Sequence, residues 1–134
     1  MPHSRNFDSH GVLITRLTGL VTMDDIIVLQ NDMQAYAKDG EFYEMVVHEG
    51  NMDLLQDANE SMLSANNMKR IFKDFKRAAI AFVADHDFVY GLCRQLQMRL
   101  ENEFIQLCVF RDENTAVKWL HEIKELKKII PCGQ

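Results

Sequence analysis

Ala78-Ala79-Ile80-Ala81-Phe82-Val83-Ala84 is an unbroken apolar run of only seven residues. It is too short to cross a bilayer and lacks the apolar–polar alternation of a half-solvated strand, so it reads as a central strand covered by helices on both faces. The flanking sequence supplies matching parts. Phe42 to His48, centred on Met45-Val46-Val47, and Ile105 to Phe110 read as two further buried strands. Val12 to Leu17 follows the turn-like Asp8-Ser9-His10-Gly11 and reads as another, with a weak partner in Ser4 to Phe7. Thr22 stands as an N-cap with Asp24 and Asp25 in the first turn, and Met23, Ile26, Ile27, Met33 and Ala37 recur at helical spacing as far as Gly40. A second amphipathic helix is expected from Glu60 to Phe75, after an irregular stretch at 51–59. Asp85-His86-Asp87 offers caps for a third, carrying Phe88, Leu92, Leu96 and Leu100. Asp112 caps a last helix with the stripe Ala116, Trp119, Leu120, Ile123 and Leu126, closed by Pro131. Strands alternating with helices predict an α/β fold with a mostly parallel or mixed sheet.

The chain has 134 residues, 47% apolar and 26% charged, with 6 Gly and 2 Pro, which excludes collagen-like and disordered classes and predicts one domain over 1–134 with its core at about 4–126. The longest stretch without a charged residue, Ser61 to Met68, is far short of a membrane span, and Met1-Pro2-His3-Ser4-Arg5 has no apolar targeting segment, so neither membrane crossing nor export is expected. Cys93, Cys108 and Cys132 are odd in number and form no CxxC. A disulfide framework or a zinc site is therefore not expected, and a reducing cytoplasm is.

A net charge of −5 argues against nucleic acid as a partner. The charge is uneven, since acids dominate from Val21 to Glu60 whereas Lys69, Arg70, Lys73, Lys76 and Arg77 cluster within ten residues beside the single acid Asp74. Such a stripe is either a solvated helix face or a surface for an anionic partner, peripheral membrane contact included.

The chain contains no GxGxxG, GxxxxGK[ST], GxSxG or HExxH, so no cofactor cradle, nucleophile elbow or helical zinc motif is encoded, and no catalytic residue, resident metal or cofactor is expected. Two constellations remain. Met52, Met62, Met68, Phe72 and Phe75, with Lys69, Lys73 and Lys76, would line an apolar cavity and approach an anionic head group if residues 53–75 formed a lid. His48, Asp85, His86, Arg111 and Asp112 fall at the carboxyl ends of the strands, where α/β folds gather ligands, and make up an alternative acid/base or metal-dependent enzyme site. Asp112 and either Asp85 or Asp87 are equally explained as helix caps.

The succession Gly11-Val12-Leu13-Ile14, Gly19-Leu20-Val21-Thr22 with Asp24-Asp25, and the Ala78–Val83 strand resembles the SpoIIAA-like family of STAS-type domains, related in shape to the CRAL-TRIO lipid-binding fold. The segment Cys108-Val109-Phe110-Arg111-Asp112-Glu113-Asn114-Thr115-Ala116-Val117-Lys118-Trp119-Leu120 carries most of that resemblance. It implies a mixed sheet of about five strands flanked by about four helices, and a non-enzymatic binding or regulatory module. The phosphorylatable serine of the wider STAS group has no counterpart in His48-Glu49-Gly50-Asn51-Met52-Asp53; Ser61 and Ser64 are the nearest hydroxyls beyond it. Expected partners are another protein, a small apolar or amphipathic ligand, or a second copy in a homodimer.

Overall fold

The computed structural model describes residues 3–49, 53–54, 58–102 and 104–132, with backbone only for Asp53, Leu54 and Ala58. In chain order the elements are β1 (His3–Phe7), β2 (Leu13–Leu17), β3 (Leu20–Val21), α1 (Met23–Asn31), α2 (Met33–Tyr36), β4 (Glu41–His48), β5 (Asp53–Leu54), α3 (Ala58–Phe72), β6 (Arg77–Ala84), α4 (Asp87–Leu100), β7 (Ile105–Phe110) and α5 (Glu113–Leu126). The main sheet has five strands in the order β1-β2-β4-β6-β7. β1 is an antiparallel edge, and the other pairings are parallel. β3 and β5 form a separate two-stranded parallel pair. This is an α/β domain with a mixed sheet.

Each face of the sheet has its own core. Leu13, Leu17, Phe42, Val46, Ile80, Phe82, Leu107 and Val109 face the helices α1, α3 and α4, whose Leu29, Met68, Ile71, Val89 and Cys93 close over them. Tyr43, Met45, Val47, Ala79, Ala81, Val83, Cys108 and Phe110 face α5 and its Ala116, Trp119, Leu120 and Ile123. Burial on both sides is why β6 shows no alternation. Four helices, the short α2 with its buried Met33 included, crowd one face, and a single helix covers the other.

Local chemistry explains where the elements stop. Thr22 and Asp25 form a reciprocal capping box that starts α1. The single helix expected up to Gly40 is instead two pieces that end at Tyr36. The chain turns back through Asp39 (φ 55°) and Gly40 (φ 75°), with Lys38 and Glu41 exchanging backbone hydrogen bonds of 2.9 Å. Positive φ at both central residues suits an Asp-Gly pair, and that tight turn takes the place of a last helical turn. α3 ends at Phe72, not Phe75, because the Gly40 carbonyl accepts from the Lys76 and Arg77 amides and draws the chain into β6. In α4 the N-cap is His86, and Phe88 is 64% exposed, the inward face being Val89, Cys93 and Leu100. α5 stops at Leu126 on left-handed Lys127, well before Pro131, and Leu126 itself is exposed.

The cysteines require a correction. Cys108 on β7 is bonded to Cys132 in the tail, which leaves Cys93 as the buried free thiol. The spacing of 24 residues carried no signal because the two meet only after the tail folds back over β7. There the Ile130 carbonyl accepts from Trp119 Nε1 at 2.9 Å and from Gln106 Nε2 at 3.1 Å.

Candidate functional site

Beneath α3 lies a cavity of about 110 Å³, floored by β1, β2, β4 and β6 and walled by α1, α2, α3 and α4. Most of its lining is apolar: Leu17, Ile26, Leu29, Met33, Val46, Ala65, Met68, Ile80, Phe82 and Leu96 all contribute. Its rim reaches the exposed Gln95 and Arg99 on α4. Gln30 of α1 donates to Ser64 of α3 at 2.7 Å and accepts from Asn67 at 2.9 Å, which ties those two walls together.

One part of the floor is charged. Phe42, Glu44, Val46 and His48 share the inward face of β4, so a carboxylate stands where alternation demands an apolar side chain. Arg5 on β1 sits opposite Thr15 on β2 and reaches across it. Its Nη2 meets Glu44 Oε2 at 2.9 Å and its Nε donates to Thr15 Oγ1 at 3.0 Å, while Thr15 Oγ1 donates to Glu44 Oε2 at 2.5 Å. Tyr36 adds its ring, 5.0 Å from the guanidinium carbon. The Arg5 and Glu44 side chains are 5% and 1% exposed. Arg5 Nη1 and Glu44 Oε1 nonetheless have no hydrogen-bond partner among the described residues. Buried polar atoms are nearly always satisfied, so two orphans on side chains that line one cavity call for an explanation.

His48 also lines the cavity. Its Nδ1 lies 3.0 Å from the Val83 carbonyl, an acceptor only, so Nδ1 carries the proton and donates. Burial holds this imidazole below its ordinary value near 6.5, outweighing the opposite pull of the Val83 bond. A neutral His48 brings no charge to the floor.

No family model, curated protein or solved structure matches this chain. The geometry alone must therefore distinguish among the residues singled out in the sequence. Of the lid set, Met68 lines the cavity. Phe72 and Phe75 are buried in the core, with Phe75 stacked on Phe42 at 5.6 Å, and neither faces the cavity. Met62 is 45% exposed and accepts from Arg99 Nη1 at 3.1 Å. Lys69, Lys73 and Lys76 lie on the exposed side of the segment, outside the lining, and Met52 lies outside the described residues.

The strand-end set is engaged in structural contacts. Arg111 donates to the Asp85 carbonyl and pairs with Asp87, both at 2.9 Å, with its guanidinium 4.0 Å from the Tyr90 ring centroid. Asp112 caps α5 by accepting from the Thr115 amide at 2.9 Å, and this bond with the Thr115 hydroxyl keeps its carboxyl below the usual range. Arg16 binds the neighbouring Glu49 and Glu113 at 3.2 and 2.7 Å. Among the described residues, the groups able to surround a metal are others: Glu101 with Cys108 and Cys132, whose sulfurs are bonded to each other, and Asp8 with His10 and His121. In the latter, Asp8 Oδ2 lies 2.8 Å from His121 Nε2, and the two imidazoles stack at 3.9 Å. Stacking sets in-plane lone pairs side by side instead of converging them on one point. Burial works to raise the Asp8 carboxyl, but bonds from His121 and from the Val12 and His10 amides outweigh it and hold it low.

Arg5, Thr15 and Glu44 are the site residues that the sequence reading missed. A signal existed in Glu44, the charged exception on the inward face of Phe42 to His48. Arg5 sits in the weakest strand, and its role depends on strand register.

Proposed function

We propose that this chain is a non-enzymatic binding module of SpoIIAA-like, STAS-type character that takes the body of a small amphipathic molecule into the cavity under α3. The observation that carries the reading is the cavity itself: about 110 Å³ of mainly apolar space, with the charged pair Arg5–Glu44 on its floor and an exposed rim at Gln95 and Arg99. Small-molecule sites have this composition, an apolar body with a few convergent polar groups. Contact with solvent at the rim gives a ligand a way in past α3 and α4. The lysines of the 69–76 stripe lie outside the lining and take no part in this reading.

Native mass spectrometry of gently purified protein, followed by solution NMR with hexyl compounds, tests it. A non-covalent mass lost on denaturation, or shifts at the Ala65, Met68 and Ile80 methyls that vanish in a folded Ala65→Phe variant, supports the cavity as the site. A bare chain whose cavity methyls respond to no probe overturns it.

A second reading, docking of another protein or of a second copy, is favoured by the exposed Met62 and Leu63 on α3 and Met98 on α4. Sedimentation at micromolar concentration separates the two, since cavity binding requires no assembly. A cytoplasmic setting belongs to the proposal too, but the Cys108–Cys132 bond removes the cysteine argument for it. Among the described residues no helix is long and apolar enough to cross a membrane.

A further inference from the structure

We infer that the cavity selects an uncharged head group presenting one hydrogen-bond acceptor and one donor, as a hydroxyl or a primary amide does, and disfavours carboxylates and ammonium groups. This rests on the cavity reading above and names the class of ligand that the cavity takes.

Valence and charge on the floor set the head group. Arg5 spends Nη2 on Glu44 and Nε on Thr15, leaving Nη1 as a donor without a partner among the described residues. Glu44 Oε2 accepts from both Arg5 and Thr15, leaving Oε1 as an acceptor in the same condition. The two formal charges neutralise each other, and Gln30 is engaged on both sides, donating to Ser64 and accepting from Asn67. Of the buried polar atoms on the floor, Arg5 Nη1 and Glu44 Oε1 are the donor and the acceptor left without a partner among the described residues, and leaving either unmade costs the full desolvation of that group. A hydroxyl or primary amide can accept from Nη1 and donate to Oε1. A carboxylate offers acceptors only and sets a second anion beside Glu44; an ammonium offers donors only and sets a second cation beside Arg5. Arg99 at the rim is the remaining charged group of the lining, and it can attract an anion without admitting it to the floor.

The test is a titration of the full chain, and of an Arg99→Gln variant that removes the rim charge, with hexanamide, 1-hexanol, hexanoate, hexylammonium and 1-fluorohexane, followed by NMR at the cavity methyls. Expected is binding of hexanamide and 1-hexanol about tenfold tighter than either charged probe and tighter than 1-fluorohexane in both proteins. Glu44→Gln, which leaves Arg5 without its counter-charge, should move the preference toward hexanoate. Equal binding of 1-fluorohexane and 1-hexanol means that the floor is filled by water or is not reached, and overturns the inference while the cavity reading stands. Hexanoate binding as tightly as hexanamide to Arg99→Gln also overturns it. Methyls that respond to none of the probes defeat the cavity reading itself. The head-group series on the unmodified chain decides the matter even if Glu44→Gln fails to fold.

Discussion

Arg5 Nη2 and Glu44 Oε2 lie 2.9 Å apart across 39 residues of sequence, with both side chains almost wholly enclosed. The pair joins the edge strand β1 to β4 over the top of Thr15, so one ion pair spans three strands. Enclosure sets its energetics, because removing one partner strands a charge whereas replacing both removes the desolvation cost. Arg5→Met or Glu44→Leu alone should each cost about 3–5 kcal/mol in urea unfolding, and the double variant should come within about 1 kcal/mol of the parent or exceed it. Additive losses in the double variant would show that the pair is not coupled.

His48 gives a pH dependence with a definite sign. Burial lowers its folded-state value below 6.5, so the unfolded chain takes up a proton first as pH falls. Stability from the neutral imidazole is therefore present in full above about pH 6.5 and is lost as pH falls below that toward the folded value. Denaturation midpoints measured from about pH 7 to pH 5 should fall more steeply in the parent than in His48→Asn. Parallel curves would show that the imidazole is free to ionise in the fold.

The strands were legible because burial leaves a mark on composition. Mainly apolar runs placed β4, β6 and β7 to within a residue at either end, and the Thr22 and Asp112 caps fell where their helices begin. Features that depend on residues far apart in sequence left no such mark. The break after Tyr36 follows from a two-residue turn that mates with Lys76, and the Cys108–Cys132 bond follows from the path of the tail. At the site, helical spacing placed Met68 correctly on the inward face but could not separate the part of that face over the cavity from the part over packed core, where Phe72 and Phe75 lie. Glu44 was visible as a charge in an apolar strand. Its partner became identifiable only once β1 was paired with β2.

The bond between Cys108 and Cys132 should show itself in thiol counts. Denatured, unreduced protein should expose one titratable thiol, Cys93, and reduced protein three. Cys93 should resist modification in the folded chain, since burial pushes its thiol up to about 12. Closure of a 24-residue separation contributes about 3.5 kcal/mol in the chain-entropy account, so Cys132→Ser should lower stability by up to that amount. Trp119 fluorescence should shift in the same variant, because its indole donates to the Ile130 carbonyl in the tail. An unchanged emission spectrum would mean that the tail stays docked without the bond.

Gly40 gives the sharpest single-residue test of the turn that separates α2 from β4. Its φ of 75° lies in the left-handed region, and a Cβ there would come within 3.3 Å of Lys76 Cβ, the first atom of that side chain and so the least able to move aside. Left-handed backbone costs an L-residue about 1–2 kcal/mol, and the close approach adds to this. Gly40→Ala should lower stability by about 2 kcal/mol, and Gly40→Asn by less, because Asn tolerates that conformation better. The Gly40 carbonyl accepts from the Lys76 and Arg77 amides, so distortion should propagate to the start of β6, where hydrogen exchange at those two amides should quicken. Exchange at the centre of β6, buried on both faces, should slow or hold relative to those amides. Equal stabilities for Gly40→Ala and the parent would show that the turn relaxes to a right-handed form without cost.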